Sequence, residues 1–209
     1  MKSLAILGAS GHGKVVAESA ELSGWNVQCF FDDAYPEKQK NSNWPVFGDT
    51  VDLLNRLDEF DAVHVAIGDN KTRISKIETL VESGATIATI IHPSASISKS
   101  AKVKEGVSVF ANSTVNADAV IGAGSILNTN SSVDHDCDLG KGVHLSPGVN
   151  LGGHVKIGGR SWVGIGSTII QCIEIGEDVI IGAGSAVVSN IPDSCVAVGI
   201  PCKVVRQDV

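Results

Sequence analysis

A strict period of six constrains this chain more than any other feature. Every sixth residue from Ile97 to Val187 is Ile, Val or Leu, sixteen positions in succession. A second set, offset by four from Ala101 to Ile191, is small or branched throughout. Glycine often follows the aliphatic residue, as at Gly122, Gly140, Gly152, Gly158, Gly164, Gly176 and Gly182. A helix repeats every 3.6 residues and a lone strand every two, so neither accounts for six. A β-helix of hexapeptide repeats does. Each hexad then supplies one short strand and one corner, with the aliphatic side chain pointing inward, the small residue beside it, and glycine easing the turn. Three hexads close a coil, so sixteen predict a little over five coils at the ~4.8 Å strand spacing, a prism about 25 Å long.

The array leaves residues 1 to about 92 for a different domain. Of the 209 residues, 43% are hydrophobic but only 4% aromatic, which fits a narrow prism with no room for large rings. No run of about 18 apolar residues is present, and the N-terminus lacks the basic flank and apolar core of a signal peptide; a cytoplasmic protein without membrane insertion is expected. The five cysteines, Cys29, Cys137, Cys172, Cys195 and Cys202, show no metal-ligand spacing, so no metal is expected. A net charge of -7 gives no support to nucleic-acid binding.

In the first part, Ser3 to Gly8 reads as a buried strand, Gly8-Ala-Ser-Gly-His-Gly13 as a loop, and Lys14 to about Ser23 as a helix. A second strand, Val27 to Phe31, ends in Asp32 and Asp33. Glycines let a ligand approach backbone amides at a helix N-terminus, and an acid at the end of the second strand can hold a ribose hydroxyl. The spacing is GxxGxG, not the dinucleotide GxGxxG. Residues 51 to 57 and 71 to 83 read as helices, Ala62 to Ile67 and Thr86 to Ile91 as third and fourth strands, with Gly68-Asp-Asn70 after the third. Four strands are half of a dinucleotide fold, with room for a mononucleotide.

Within the prism the informative stretch is Asn128-Thr-Asn-Ser-Ser-Val-Asp-His-Asp-Cys-Asp-Leu139. The register buries Val133 and Cys137 and places His135 and Asp136 outside, near a corner. A surface imidazole beside a carboxylate can act as a general base, and Gly153, one coil later, leaves space above His135. The competing reading is a solvated histidine in an acidic turn. Burial argues against a nucleophilic Cys137. His144 lies half a coil from His135 and can face it only across a subunit boundary. His154 stacks one coil beyond Asp136 and is assigned no role.

The GASGHGKV loop, the Asp-Asp strand end and an uninterrupted prism carrying NTNSSVDHD together resemble the NeuD/PglD-type sugar acetyltransferases over essentially the whole chain. The resemblance implies an α/β half-Rossmann (βαβαβ) domain, residues 1–92, that binds a nucleotide-sugar, followed by a left-handed parallel β-helix, residues 93–209, that binds acetyl-CoA, in a homotrimer. It implies His135 as catalytic base and Asp136 as its acidic partner, where some relatives have Glu. The nucleotide-sugar site carries over to Gly11, His12, Gly13, Lys14, Asp32, Asp33 and Gly68. His144, Gly153, Ile165 and Ala183 match acetyl-CoA-contacting positions, and Gly199-Ile-Pro-Cys-Lys203 resembles the family's C-terminal tail. The implied reaction is N-acetylation of a nucleotide-linked 4-amino-sugar, UDP-linked ahead of GDP-linked; O-acetylation of a sugar such as sialic acid and a non-catalytic trimeric binding protein are the alternatives.

Overall fold

The computed structural model describes residues 1–207. The chain divides into two compact units, one from Met1 to Pro93 and one from Ser94 onward.

The first unit is built on β1 (Ser3–Leu7), whose residues Leu4 to Leu7 are all buried. Apolar on both sides, β1 takes the centre of a parallel three-stranded sheet, between β2 (Asn26–Phe31) and the Ala62–Val65 strand. α1 (Gly11–Leu22) links the first pair. α2 (Thr50–Leu54) opens on a capping box between Asp49 and Asp52. α3 (Asn70–Glu82) is capped by Asp69, whose side chain accepts a hydrogen bond from the Thr72 amide. Leu53 of α2 and Ile74, Ile77 and Leu80 of α3 pack with Ala5, Leu7, Phe31, Val63 and Val65 of the sheet.

Two expectations need correction. The helix read over 51–57 ends at Leu54 and resumes only as a short 3-10 turn at Leu57–Glu59. The fourth strand, read over Thr86–Ile91, meets the sheet only as a bridge from Ile87 to Val63, and Ile90–Ile91 forms a separate two-residue strand. The reason is local: the Ala88 carbonyl, which a longer ladder would use, is taken by Nδ1 of His64 at 2.8 Å.

The second unit is a parallel β-helix. Its sixteen two-residue strands, from Ser96–Ile97 to Ala186–Val187, each end on one of the period-six aliphatics. Each pairs in register with the strand eighteen residues away, as Val115 with Val133 and Val133 with Leu151, which is three hexads per coil. The offset-four set fills the corners inside, where Ser125, Ser161 and Ser167 are buried and donate to the carbonyls of Gly140, Gly176 and Gly182 fifteen residues on. A hairpin, Cys195–Gly199 with Cys202–Gln207, closes the end of one face.

The turning residue is not the glycine expected. Every sixth residue from Gly106 to Gly184, three places after the aliphatic, has φ between 54° and 73°. Asn, Asp and Gly hold most of these corners, as left-handed backbone favours. The glycines that directly follow the aliphatics serve close approach instead: a Cβ on Gly152 would lie 2.7 Å from the Gln171 amide nitrogen, and one on Gly164 2.6 Å from that of Ala183.

Candidate active site and nucleotide cavity

Asp136 occupies one of these left-handed corners, with φ 58°, and His154 the same corner one coil on, with φ 59°. The corner turns both side chains outward beside His135, and all three are exposed. Nδ1 of His135 lies 2.8 Å from Oδ2 of Asp136, so Nδ1 carries the proton and Nε2 keeps a lone pair. The hydrogen bond that His135 donates to Asp136 holds its imidazole above the ordinary pKa against the opposing effect of desolvation, and the charge of Asp134 adds to it. Asp134 is otherwise engaged: its Oδ1 accepts from the His135 amide and from Nδ2 of Asn116, both at 2.8 Å, and these bonds hold its carboxyl below the usual range. Asp136, not Asp134, therefore orients the ring.

Gly153 is required by this arrangement. A Cβ there would lie 2.6 Å from both Cε1 and Nε2 of His135, so only glycine leaves room for that edge of the ring. Cys137 is buried, its Sγ donates to the Gly152 carbonyl at 3.2 Å, and burial pushes its thiol up to about 11. It is no nucleophile at neutral pH.

Sequence reasoning stacked His154 one coil beyond Asp136 but gave it no role. Its Nε2 lies 3.5 Å from the same Asp136 oxygen, its ring stands edge-on to that of His135 at 5.3 Å and 89°, and its amide donates to the His135 carbonyl. The eighteen-residue spacing from Asp136 was the available signal.

His144 stands on a strand facing another side of the prism, half-buried, with its ring at 6.4 Å from that of Trp162. Ile165 and Ala183 are exposed and eighteen residues apart, at the corner following that face. The structure thus places His144, Ile165 and Ala183 on one edge and His135 with Gly153 on another.

In the first unit a cavity of about 260 Å³ opens beyond the carboxyl ends of the parallel strands, lined by Leu7, Gly8, Ser10, Asp32, Asp33, Ala66, Ile67 and Gly68. Its shape comes from backbone. Gly8, at φ 108°, packs so closely that a Cβ would lie 2.7 Å from the Ala66 carbonyl oxygen. Gly13 lies under the loop, where a Cβ would collide with the Gly8 carbonyl, whereas Gly11 and Gly68 face open space. Asp32 accepts from the Ala9 amide at 2.6 Å and the Ala34 amide at 3.0 Å, fixing the loop. Asp33 is committed to Thr50 and to Nζ of Lys76 at 2.8 Å; burial raises its pKa, but these bonds outweigh it and hold the carboxyl low. Lys14 is exposed in the first turn of α1, whose positive end suits phosphate.

Of the residues expected here, Asp32, Asp33 and Gly68 line the cavity, and Gly11, His12, Gly13 and Lys14 do not. His12 is largely buried, and burial, with His64 and Arg73 adding, pushes it down to about 4. Arg73 is a residue that sequence reasoning missed. Buried in α3, it donates to the carbonyls of Ile67 at 2.9 Å and Gly68 at 3.0 Å and to Oδ1 of Asn70 at 2.7 Å, so it holds the far rim of the cavity in place.

Residues 3–80 match the PglD N-terminal domain family. The chain is 37% identical over 102 residues to UDP-N-acetylbacillosamine N-acetyltransferase of Bacillus subtilis, a stretch covering 48% of this chain and 47% of that protein. It is 44% identical over 46 residues to galactoside O-acetyltransferase of Escherichia coli, covering 22% and 23% respectively. The aligned stretches thus span from about a quarter to about half of these curated relatives. Among solved structures, PerB from Caulobacter crescentus, in complex with CoA and GDP-perosamine, is 38% identical with a TM-score of 0.93, covering 98% of this chain and 97% of that one. The acetyltransferase domain of PglB from Neisseria gonorrhoeae, in complex with acetyl coenzyme A, is 39% identical with a TM-score of 0.93, covering 98% and 99%.

Proposed function

The chain belongs to the NeuD/PglD-type sugar acetyltransferase family of acetyl-CoA-dependent enzymes, and on that premise we propose that it transfers an acetyl group to the amino group of a nucleotide-linked 4-amino-sugar. The observation that carries this is the His135–Asp136 pair, 2.8 Å apart, with Nε2 open over Gly153. The cavity of the first unit, ringed by loop backbone and Asp32, takes the nucleotide. An unactivated sugar, the substrate for O-acetylation, would leave that cavity idle.

The step is direct. The amine nitrogen attacks the thioester carbonyl, the C–N bond forms, and His135 Nε2 accepts the amine proton. The C–S bond then breaks, and the proton passes to the departing CoA thiolate. Asp136 holds the tautomer and stabilises the imidazolium. Positioning of the two substrates supplies much of the remaining rate.

A homotrimer completes the reading. His135 and the edge of His144, Ile165 and Ala183 belong to different sides of one prism, so a neighbouring copy supplies the second. Exposed Trp162, Ile165, Ile170 and Val188 give that contact apolar area. Steady-state kinetics with acetyl-CoA and UDP- or GDP-linked 4-amino-sugars tests the activity. A UDP-linked substrate is expected to be preferred, and turnover with free amino-sugar equal to that with either nucleotide form sinks the proposal. Light scattering showing an active monomer refutes the trimer.

A further inference from the structure

The corner that carries His135 also assembles a set of metal ligands. One ligand atom from each of His135, Asp136 and His154 lies within 4.8 Å of the others. Their backbone is set by coil stacking: the Asp136 amide donates to Ala117 at 3.0 Å and the His154 amide to His135 at 2.9 Å. The backbone that carries the donors is therefore fixed before any ion arrives, which lowers the ordering cost of binding. Two imidazole nitrogens and one carboxylate oxygen suit Zn²⁺ in an open site, where water takes the fourth position. Imidazole also suits Cu²⁺, Ni²⁺ and Co²⁺, whereas Mg²⁺ and Ca²⁺ favour oxygen donors. Asp136 Oδ2 lies 3.5 Å from His154 Nε2 and 2.8 Å from His135 Nδ1, on either side of the edge of about 3.3 Å for a tetrahedron with ligands at ~2.0 Å, so the His135–Asp136 pair must part by a few tenths of an ångström around an ion.

We propose that His135, Asp136 and His154 bind one divalent transition-metal ion of the Zn²⁺ class, and that its occupancy silences the base. The second half rests on the reading of His135 given above. The protons account for it. In the metal-free pair, Nδ1–H donates to Asp136 and the Nε2 lone pair is the base. An ion bound at Nδ1 displaces that proton to Nε2, so the ring has no lone pair left for the amine. The ion is an inhibitor here, not a cofactor. Cysteine spacing gave no hint of it, because the ligands come from one corner of successive coils.

The test titrates the full-length protein with Co²⁺ alone, without substrates, in a Cys172→Ser background, since Cys172 is exposed one coil beyond His154 and a thiolate must not supply the signal. Visible absorption of four-coordinate Co²⁺ at one ion per chain, displaced by Zn²⁺ and not by Mg²⁺, is expected. His154→Gly suits the left-handed φ and should weaken Co²⁺ binding by at least about 100-fold, beyond the 10–100-fold that loss of an outer-shell partner costs; circular dichroism checks its fold, and His135→Ala provides an independent second variant. Absence of binding, or unchanged binding in both variants, overturns the site. Turnover should fall with Zn²⁺, return with a chelator, and become insensitive to Zn²⁺ in the residual activity of His154→Gly. Stoichiometric binding with full turnover would leave the site standing and overturn the silencing of His135.

Discussion

The two units bury polarity in different ways. Among the described residues, the fully buried polar side chains of the prism are all serines, while the first unit buries His64, Asn70 and Arg73. In a stack of equal coils each interior corner has the same surroundings, so the polar group tolerated there is one that the next coil's carbonyl can satisfy, as Ser161 on Gly176. In the first unit, elements meet at unequal places, and a buried guanidinium can be satisfied by particular loop carbonyls. The candidate site of the prism accordingly lies outside it, as departures from the repeat at an exposed corner, whereas the cavity of the first unit lies inside, behind a rim that a buried cation holds.

The comparison breaks most sharply at His135. His135→Ala is expected to lower kcat by about 10² to 10⁴ while leaving the unfolding midpoint near the wild-type value, because the side chain lies outside the core. Unchanged turnover in steady-state assays would return the histidine to a solvated surface residue.

Equivalence along the stack is tested by Leu127→Ala and Leu145→Ala, buried on the same face one coil apart. Each should cost about 2–5 kcal/mol in denaturant unfolding, with the two values close together. Widely different values would mean that coils are not interchangeable.

In the first unit, Gly8→Ala combines a left-handed φ with a 2.7 Å approach to the Ala66 carbonyl and should cost about 3 kcal/mol together with nucleotide affinity. Gly11→Ala, facing open space, should be close to neutral in stability; equal costs for the two would contradict the packing described. Calorimetry with the nucleotide and thermal unfolding read both effects.

Acid should separate the units further. His12 and His64 are pushed from 6.5 to about 4, chiefly by burial, so the unfolded chain binds more protons than the folded one between those values. The stability tied to their neutral forms is complete above pH 6.5 and is lost as pH falls through about 4. Hydrogen exchange on the whole chain should show amides of β1 and α1 losing protection before those of the prism; simultaneous loss would argue against it.

The smallest expected effect is that of Asp136→Asn, about tenfold in kcat, with a residue that still tolerates the left-handed corner. Asp136 raises the pKa of His135, and protonation of the ring stops base catalysis. Removing the charge therefore moves the acid limb of the kcat profile to lower pH. A limb that stays in place assigns it to another group.

Most of the prism was legible in sequence because an eighteen-residue coil makes sequence distance equal spatial distance: the aliphatic face, the buried Cys137 and the exposed His135 follow from hexad position alone. The role of the glycines did not. Position six after six marks a turn, but whether glycine is there for its φ or for a neighbour's approach depends on the adjacent coil, and Gly152 proved to be the second kind. In the first unit the strands and the glycine loop could be read from apolar runs and turn residues, yet the truncated fourth strand could not, because a side chain on another strand, His64, decided it.

What the sequence determined by itself was the set of environments that a repeat imposes, together with the local punctuation that starts and stops strands and helices. The tertiary structure alone decided which polar groups share an atom: His135 and His154 on one oxygen of Asp136, and Arg73 on the carbonyls of Ile67 and Gly68. Residue type and spacing can bring such groups to the same neighbourhood, but hydrogen bonds form or fail over a few tenths of an ångström, a distance set by the packing of backbone against backbone.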